Sequence, residues 1–230
     1  MATKDHILIN GFKHVLFEQT VVSNKEMLLK SEDFLQKMDK RRSVREFSSK
    51  PVSKNIIENL IKTASTAPSG AHKQPWTFCA ISNPKIKSEI RKTAEEEEKK
   101  SYESRMSDSW LKDLAHIGTD WKKPFLEDAP WLIVVFKRAY EFDKNGKKLN
   151  NYYVNESVGL ASGMLITAIH NAGLITLTHT PSPMRFLSEI LNRPDNERPF
   201  LLLPVGYAKD PVYVPDLKRK SLNEIAEFYE

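Results

Sequence analysis

Between Pro130 and the pair Lys137–Arg138 stands an unbroken apolar run, Trp131 to Phe136. A strand with one wet face alternates apolar and polar side chains. A run without alternation predicts a central strand buried on both faces. The rest of the chain must therefore supply covering layers, and it offers several.

Ser53 is placed to cap a helix in which Ile56, Ile57, Leu60, Ile61 and Ala64 form one apolar stripe. Residues 154–172 read as a strongly apolar helix carrying Gly159, Ala161, Ser162 and Gly163, small residues that allow close backbone approach in a core or at a subunit interface. Further strands are expected over 76–82, 174–177 and 200–205, and helices over 84–105 and 186–191. A short helix is expected over 31–42 with Ser31 as N-cap and Phe34, Leu35 and Met38 on one face, and a last one from Ser221. Residues 1–30 read as an irregular arm, 106–126 as mixed and partly buried around Trp110 and Trp121, and 143–146 as a turn. Strands separated by helices indicate an α/β or α+β domain with one layered sheet. At 230 residues the chain suits one substantial core.

Composition excludes little but does exclude something. Cys79 is the one cysteine, so an intrachain disulfide is not available and an oxidising compartment is not required; in its apolar run it reads as a small buried hydrophobe. The N-terminus lacks a secretory pattern, and no stretch approaches the ~18 apolar residues that span a bilayer. A cytoplasmic protein without membrane association is expected. The net charge of +5 matters only where it clusters, at Lys40–Arg42 with Arg45 and at Lys218–Lys220. Neither cluster is interleaved with aromatics, and no zinc spacing occurs, so neither nucleic acid nor a metal is expected as a partner.

Four segments can carry chemistry. Arg41, Arg42 and Arg45 crowd three guanidinium groups around Ser43 and Val44. They repel one another unless an anion neutralises them, and the planar fork of arginine suits phosphate; a solvated basic turn is the alternative. The loop Pro68-Ser69-Gly70-Ala71-His72-Lys73-Gln74-Pro75, set before a strand, can present N–H groups and the Ser69 hydroxyl to a ligand, or be only a turn. Thr178-His179-Thr180-Pro181 places hydroxyl donors at a strand end, with His179 readable as a polar loop residue. Glu95 to Glu98 read, by themselves, as a solvated helix face.

Taken in order, Arg-Arg-Ser-Val-Arg-Glu-Phe, Ala-Pro-Ser-Gly-Ala-His-Lys-Gln-Pro-Trp-Thr-Phe, Thr-His-Thr-Pro, Leu-Pro-Val-Gly-Tyr and Val-Pro-Asp-Leu-Lys-Arg-Lys resemble the iodotyrosine deiodinase family of the nitroreductase superfamily, from about residue 34 to 220. The resemblance implies an α+β sandwich, with a central, mostly antiparallel sheet flanked by helices, as an intertwined homodimer with flavin mononucleotide (FMN) at the subunit interface. It implies a single domain over 1–230, with a lid over about 95–125 and a C-terminal extension over 208–230. The activity implied is FMN-dependent reductive dehalogenation of mono- and diiodotyrosine to tyrosine and halide. Electrons would pass stepwise from reduced flavin, which an unidentified NADPH- or NADH-dependent donor reloads. A general FMN nitroreductase or flavin reductase, and a non-catalytic flavin- or halotyrosine-binding protein, are the alternatives. Animal members carry an N-terminal membrane anchor, and this chain is expected to lack one.

Roles follow residue by residue. Arg41, Arg42 and Arg45, with the main chain of Ser43 and Val44, would clamp the phosphate, and Arg219 would add a cation. Pro68, Ser69, Thr178, His179 and Thr180 would contact the flavin, Thr180 at ring nitrogen N5. The Ala71 N–H would hold the substrate phenolate. Glu98, Tyr102 and Lys123 would bind the amino-acid head group: carboxylate to ammonium, ammonium to carboxylate, phenol as donor. Only Glu98 among the four glutamates stands four residues before Tyr102, and residues four apart share a helix face.

Overall fold

The computed structural model describes residues 6–230; the first five positions of the expected arm lie outside the described residues. The chain divides into two compact units, one ending at Lys40 and the other comprising Arg41–Glu230.

The first unit corrects two expectations. Residues expected to be irregular form a hairpin of β1 (His6–Ile9) and β2 (Phe12–Val15), followed by α1 (Asn24–Asp39). The turn is Asn10–Gly11, both at positive φ, the backbone that a two-residue hairpin loop demands and that this residue pair tolerates. The cap of α1 is Ser23, whose hydroxyl accepts the Glu26 N–H at 3.2 Å. Ser31 instead lies within the helix and donates to the Leu28 carbonyl at 2.7 Å. An intrahelical carbonyl satisfies a serine as well as a terminal N–H does, so Ser31 gives no boundary.

The second unit contains α2 (Lys54–Ser65), β3 (Trp76–Ile81), α3 (Pro84–Lys100), α4 (Asp108–Ala115), α5 (Phe125–Asp128), β4 (Trp131–Arg138), β5 (Tyr140–Phe142), β6 (Lys148–Asn150), α6 (Val154–Asn171), β7 (Ile175–Thr176), α7 (Phe186–Ile190) and β8 (Glu197–Gly206). The main sheet has the order β3-β4-β8-β7, every pair antiparallel, as the resemblance implied. The short pair β5–β6 folds over the 143–146 turn.

β4 shows why its sequence does not alternate. Ile133 and Val135 enter one core with α2 and α6, while Leu132, Val134 and Phe136 enter a second with α3, α5 and α7. β8 divides in the same way, Leu201, Leu203 and Val205 on the first side and Leu202 on the second. Two α-layers thus cover one sheet, and burial of these large side chains at about 1.5–3 kcal/mol each drives the arrangement.

Three expected elements end differently. The charged helix is α-helical to Lys100 and closes in a π-turn, Ser101–Arg105. The strand at 174–177 shrinks to Ile175–Thr176. The expected last helix is a single 3-10 turn, Leu222–Glu224, closed by a capping box with Ser221. None of its residues is buried, and a lone helical turn without packing does not propagate. Trp110, expected to be partly buried, is exposed on α4, an element with no buried residue.

Candidate functional site

The arginine segment is fixed by its apolar members. Val44 is buried and donates its N–H to the Thr176 carbonyl at 3.3 Å, and Ser43 bridges Thr176 in parallel. Phe47 is buried and bridges Ala208. Residues 43–47 thus run along the sheet edge beyond β7, which leaves the guanidinium groups to face a cavity.

That cavity has a volume of about 260 Å³. Arg41, Arg42, Arg45, Lys218 and Arg219 line it together with Ser43, and among the described residues no carboxylate does. Arg42 donates to the Pro215 carbonyl, and Arg219 donates to the Arg41 carbonyl at 3.1 Å. These bonds hold the C-terminal segment against the arginine segment. Burial pushes the half-buried Arg45 guanidinium below its ordinary value, an effect that Tyr102 partly offsets. Five cations around one small cavity repel one another, and a phosphate dianion relieves that repulsion with paired hydrogen bonds.

Glu98, Tyr102 and Lys123 also converge. Lys123 Nζ lies 3.5 Å from Glu98 Oε2 and 5.6 Å from the centroid of the Tyr102 ring. Lys123 is 4% exposed and Glu98 8%, so this pair is held away from water. Lys123 Nζ also donates to the Asp120 carbonyl and to Thr119 Oγ1, and the Tyr102 hydroxyl donates to the Thr119 carbonyl at 3.3 Å. Burial pulls the Lys123 ammonium down from its usual value, and Glu98 pulls it back up. Burial, and then Glu98, push the Tyr102 phenol up, which keeps it a donor. Ile117 of the same segment lines the cationic cavity, so the expected lid reaches both places.

Thr178 and Thr180 are exposed at the end of β7, while His179 between them is buried. Its N–H and carbonyl both pair with Leu202, and its ring meets Phe125 edge-on at 5.5 Å. Among the described residues its Nε2 has no hydrogen-bond partner. Burial, reinforced by Lys123 and Arg45, lowers its pKa to about 3, so the ring is neutral. His179 is a buried side chain beneath the site rather than the polar loop residue that its neighbours in sequence suggest.

The 68–74 loop does not line the cationic cavity. Ser69 Oγ accepts the Gln74 N–H at 2.9 Å, and the Gly70 N–H donates to Ser157 Oγ at 3.3 Å. A Cβ at Gly70 would stand 2.9 Å from the Tyr152 carbonyl oxygen, so only glycine fits there. Pro68 and Ala71 are exposed, and Ala71 is held at φ 48°. Within one chain, then, the phosphate-type cavity and the head-group cluster are neighbours, and the 68–74 loop stands apart on the N-terminal end of α6.

Sequence reasoning missed Asp120 and Pro215, which act through carbonyls, Thr119, which acts through its carbonyl and its hydroxyl, and Glu95, which accepts a main-chain N–H. A main-chain partner leaves no residue-type signal, so nothing in the sequence marks the contacts made through the backbone.

An antiparallel sheet covered on both faces by helices, with a cation-lined cavity at its edge, places the chain in a known class: the nitroreductase family model matches residues 38–207. A nitroreductase-like protein of Streptococcus mutans shares the fold at 21% identity, with a TM-score of 0.62 over 87% of this chain and 100% of that one. The likeness narrows further with an iodotyrosine deiodinase of Haliscomenobacter hydrossis, 59% identical over 89% of this chain and 92% of that protein. Iodotyrosine deiodinase 1 of Homo sapiens is 45% identical over 93% of this chain and 74% of that protein. A crystal structure of oxidised iodotyrosine deiodinase bound to FMN and 3-iodo-L-tyrosine superposes with a TM-score of 0.73 at 32% identity, covering 86% of this chain and 99% of that one. The chain belongs to the iodotyrosine deiodinases of the nitroreductase family.

Proposed function

We propose that this protein is an FMN-dependent enzyme that reductively removes halogen from halotyrosines, mono- and diiodotyrosine included. The observation that carries the reading is the convergence of a buried carboxylate, Glu98, and a buried ammonium, Lys123, with the half-buried Tyr102 phenol, in the unit that also holds the cationic cavity. An α-amino acid head group is a zwitterion, and this trio matches it charge for charge. A nitroaromatic or a free flavin has no use for it.

The donor set of the cavity fits the FMN phosphate: Arg41, Arg42, Arg45 and Arg219 supply guanidinium forks and Ser43 and Val44 the adjoining main chain. Pro68, Ser69, Thr178, His179 and Thr180 form the surroundings of the ring, with the exposed Thr180 hydroxyl as donor to ring nitrogen N5. When bound, FMN supplies the two electrons that carbon–halogen cleavage consumes. In balance, aryl halide, two electrons and one proton give tyrosine and halide. The Ala71 N–H holds the phenolate oxygen, Glu98 turns to the substrate ammonium, and Lys123 meets its carboxylate. The lid segment, closing with these residues, excludes water from the reacting carbon.

The separation of the 68–74 loop from the cationic cavity supports a site completed by a second copy of the chain, and so a homodimer with FMN between the subunits. An NADPH- or NADH-dependent donor and a cytoplasmic setting complete the proposal; the free thiol of Cys79 is compatible with a reducing compartment. The single-domain organisation, with an N-terminal arm over 1–30, a lid over about 95–125 and a C-terminal extension from 208, belongs to the same proposal.

The test is anaerobic. The purified yellow protein is reduced with dithionite, diiodotyrosine is added, and tyrosine and iodide are assayed. Release of both is expected. A protein that stays reduced in the presence of diiodotyrosine, yet is oxidised by nitroaromatics, overturns this reading in favour of a general FMN nitroreductase.

A further inference from the structure

Glu98 is not the only carboxylate of α3 that meets Lys123. One turn earlier on the same face, Glu95 Oε1 accepts the Lys123 main-chain N–H at 2.7 Å. The same oxygen accepts Arg91 Nε at 2.9 Å, and Arg91 NH1 donates to Glu127 Oε2 at 2.6 Å. Glu127 lies in α5, which directly follows Lys123 and Pro124. One lysine is thus held twice from one helix face, its backbone by Glu95 and its ammonium by Glu98, while Arg91 ties the root of the lid to α3.

We propose that Glu95, aimed by Arg91, is a positioning residue for substrate selection: it fixes the Lys123 backbone so that the ammonium stays in place for a substrate carboxylate when Glu98 turns to the substrate ammonium. This rests on the halotyrosine reading. The two contacts of Lys123 differ in kind. The contact with Glu98 is between charged side chains, and a zwitterion can take it over by offering a carboxylate to Lys123 and an ammonium to Glu98. The contact with Glu95 is between a carboxylate and a peptide N–H, which no group of the substrate replaces. Glu95 therefore keeps its hold through the exchange. Without it, the Lys123 main chain would lose its tie to α3, leaving the ammonium that the substrate must recruit as the link of Lys123 to that helix, and each binding event would carry the entropic cost of ordering that residue. The effect belongs to the head group alone. A halophenol without the amino-acid portion makes no demand on Lys123.

The experiment uses the FMN-loaded protein in its oxidised state. Binding of 3-iodotyrosine and of 2-iodophenol is read by quenching of flavin fluorescence, with turnover of both measured after reduction. Glu95→Ala is expected to weaken 3-iodotyrosine binding about tenfold, the worth of one hydrogen bond to a charged group, and to leave 2-iodophenol within about twofold. Glu95→Gln, which keeps the acceptor oxygen, should restore 3-iodotyrosine binding to within about threefold of wild type. Trypsin should cut Glu95→Ala faster after Lys122 in the presence of 3-iodotyrosine, since the segment no longer locks. Should Glu95→Ala fold poorly, Arg91→Met tests the same point, with a selective loss for 3-iodotyrosine expected. Equal losses for both ligands, or an unchanged affinity for 3-iodotyrosine, overturn the positioning role. A wild-type protein that binds no 3-iodotyrosine overturns the halotyrosine reading and this proposal with it; wild-type binding with an unaffected variant overturns the positioning role only.

Discussion

Glu98 and Lys123 are both almost fully buried, and they face each other as opposite charges at 3.5 Å. Breaking such a pair from one side leaves a buried charge without its counter-charge. Glu98→Gln should therefore lower halotyrosine affinity by about 2–4 kcal/mol, because the substrate ammonium loses its counter-charge while its carboxylate still finds Lys123. Titration of the oxidised flavoprotein with 3-iodotyrosine checks this, and unchanged affinity would remove Glu98 from the head-group site. His179 makes a prediction in another coordinate. Its folded pKa of about 3 lies below the ordinary 6.5. Below pH 6.5 the unfolded chain takes up a proton that the folded chain refuses, so stability falls as the pH falls, until the folded value is reached. Between pH 6.5 and 5.0 this single residue should cost about 1.5 kcal/mol. Urea unfolding at the two pH values should show the wild type losing that much more than His179→Asn, whose side chain does not titrate. At this scale the sequence was readable where partners stand close along the chain. The four-residue spacing of Glu98 and Tyr102 pairs them although Tyr102 falls in the π-turn that closes α3, whereas Lys123 lies more than twenty residues further on and only the resemblance to known deiodinases brought it in.

Elements were legible to the extent that their own residues decide them. β4 announced itself because burial on both faces abolishes alternation, and α2 because Ile57, Leu60 and Ala64 repeat at helical spacing and are the residues it buries. The hairpin β1–β2 carries its signal in Asn10–Gly11 between two short apolar runs, the pair that accepts positive φ at both turn positions. The start of α1 was not legible, since Ser23 and Ser31 are equally able to cap and only backbone geometry distinguishes them. The end of β8 depends on a contact no sequence pattern shows. A Cβ at Gly206 would meet Pro130 Cδ at 2.5 Å and Cγ at 2.9 Å, just where the chain enters β4. A proline ring cannot move aside without moving its backbone. Gly206→Ala should therefore destabilise the protein by about 1–3 kcal/mol, as overpacking does, and thermal unfolding of the variant measures it. An unchanged melting temperature would mean that the entry to β4 yields at little cost.

Considered whole, the second unit leaves apolar side chains exposed along α6 and the C-terminal segment. α6 turns Val158, Ala161, Leu165 and Ile169 into the core, while Leu160 is 53% exposed and a Cβ at Gly159 or Gly163 would meet nothing within 4 Å. Leu217, Leu222, Ile225 and Phe228 along the C-terminal segment are exposed as well. Small residues on an open helix face let a second backbone approach closely, and exposed apolar side chains on an extended tail suit wrapping around a neighbour. The divided site points the same way, because the 68–74 loop packs at the N-terminal end of this same helix, away from the arginines it is expected to work with. If a second copy covers α6, a charge placed at its centre must be desolvated to form the dimer, a penalty that an exposed position would not impose. Leu160→Glu should then sediment as a monomer where the wild type is a dimer, and should lose FMN on gel filtration, since each copy would keep its arginines but lack its partner's 68–74 loop. A variant that remains dimeric would place the interface elsewhere. A monomer that keeps its flavin would show that one chain is enough to hold the cofactor, and would leave the second copy without a part in the site.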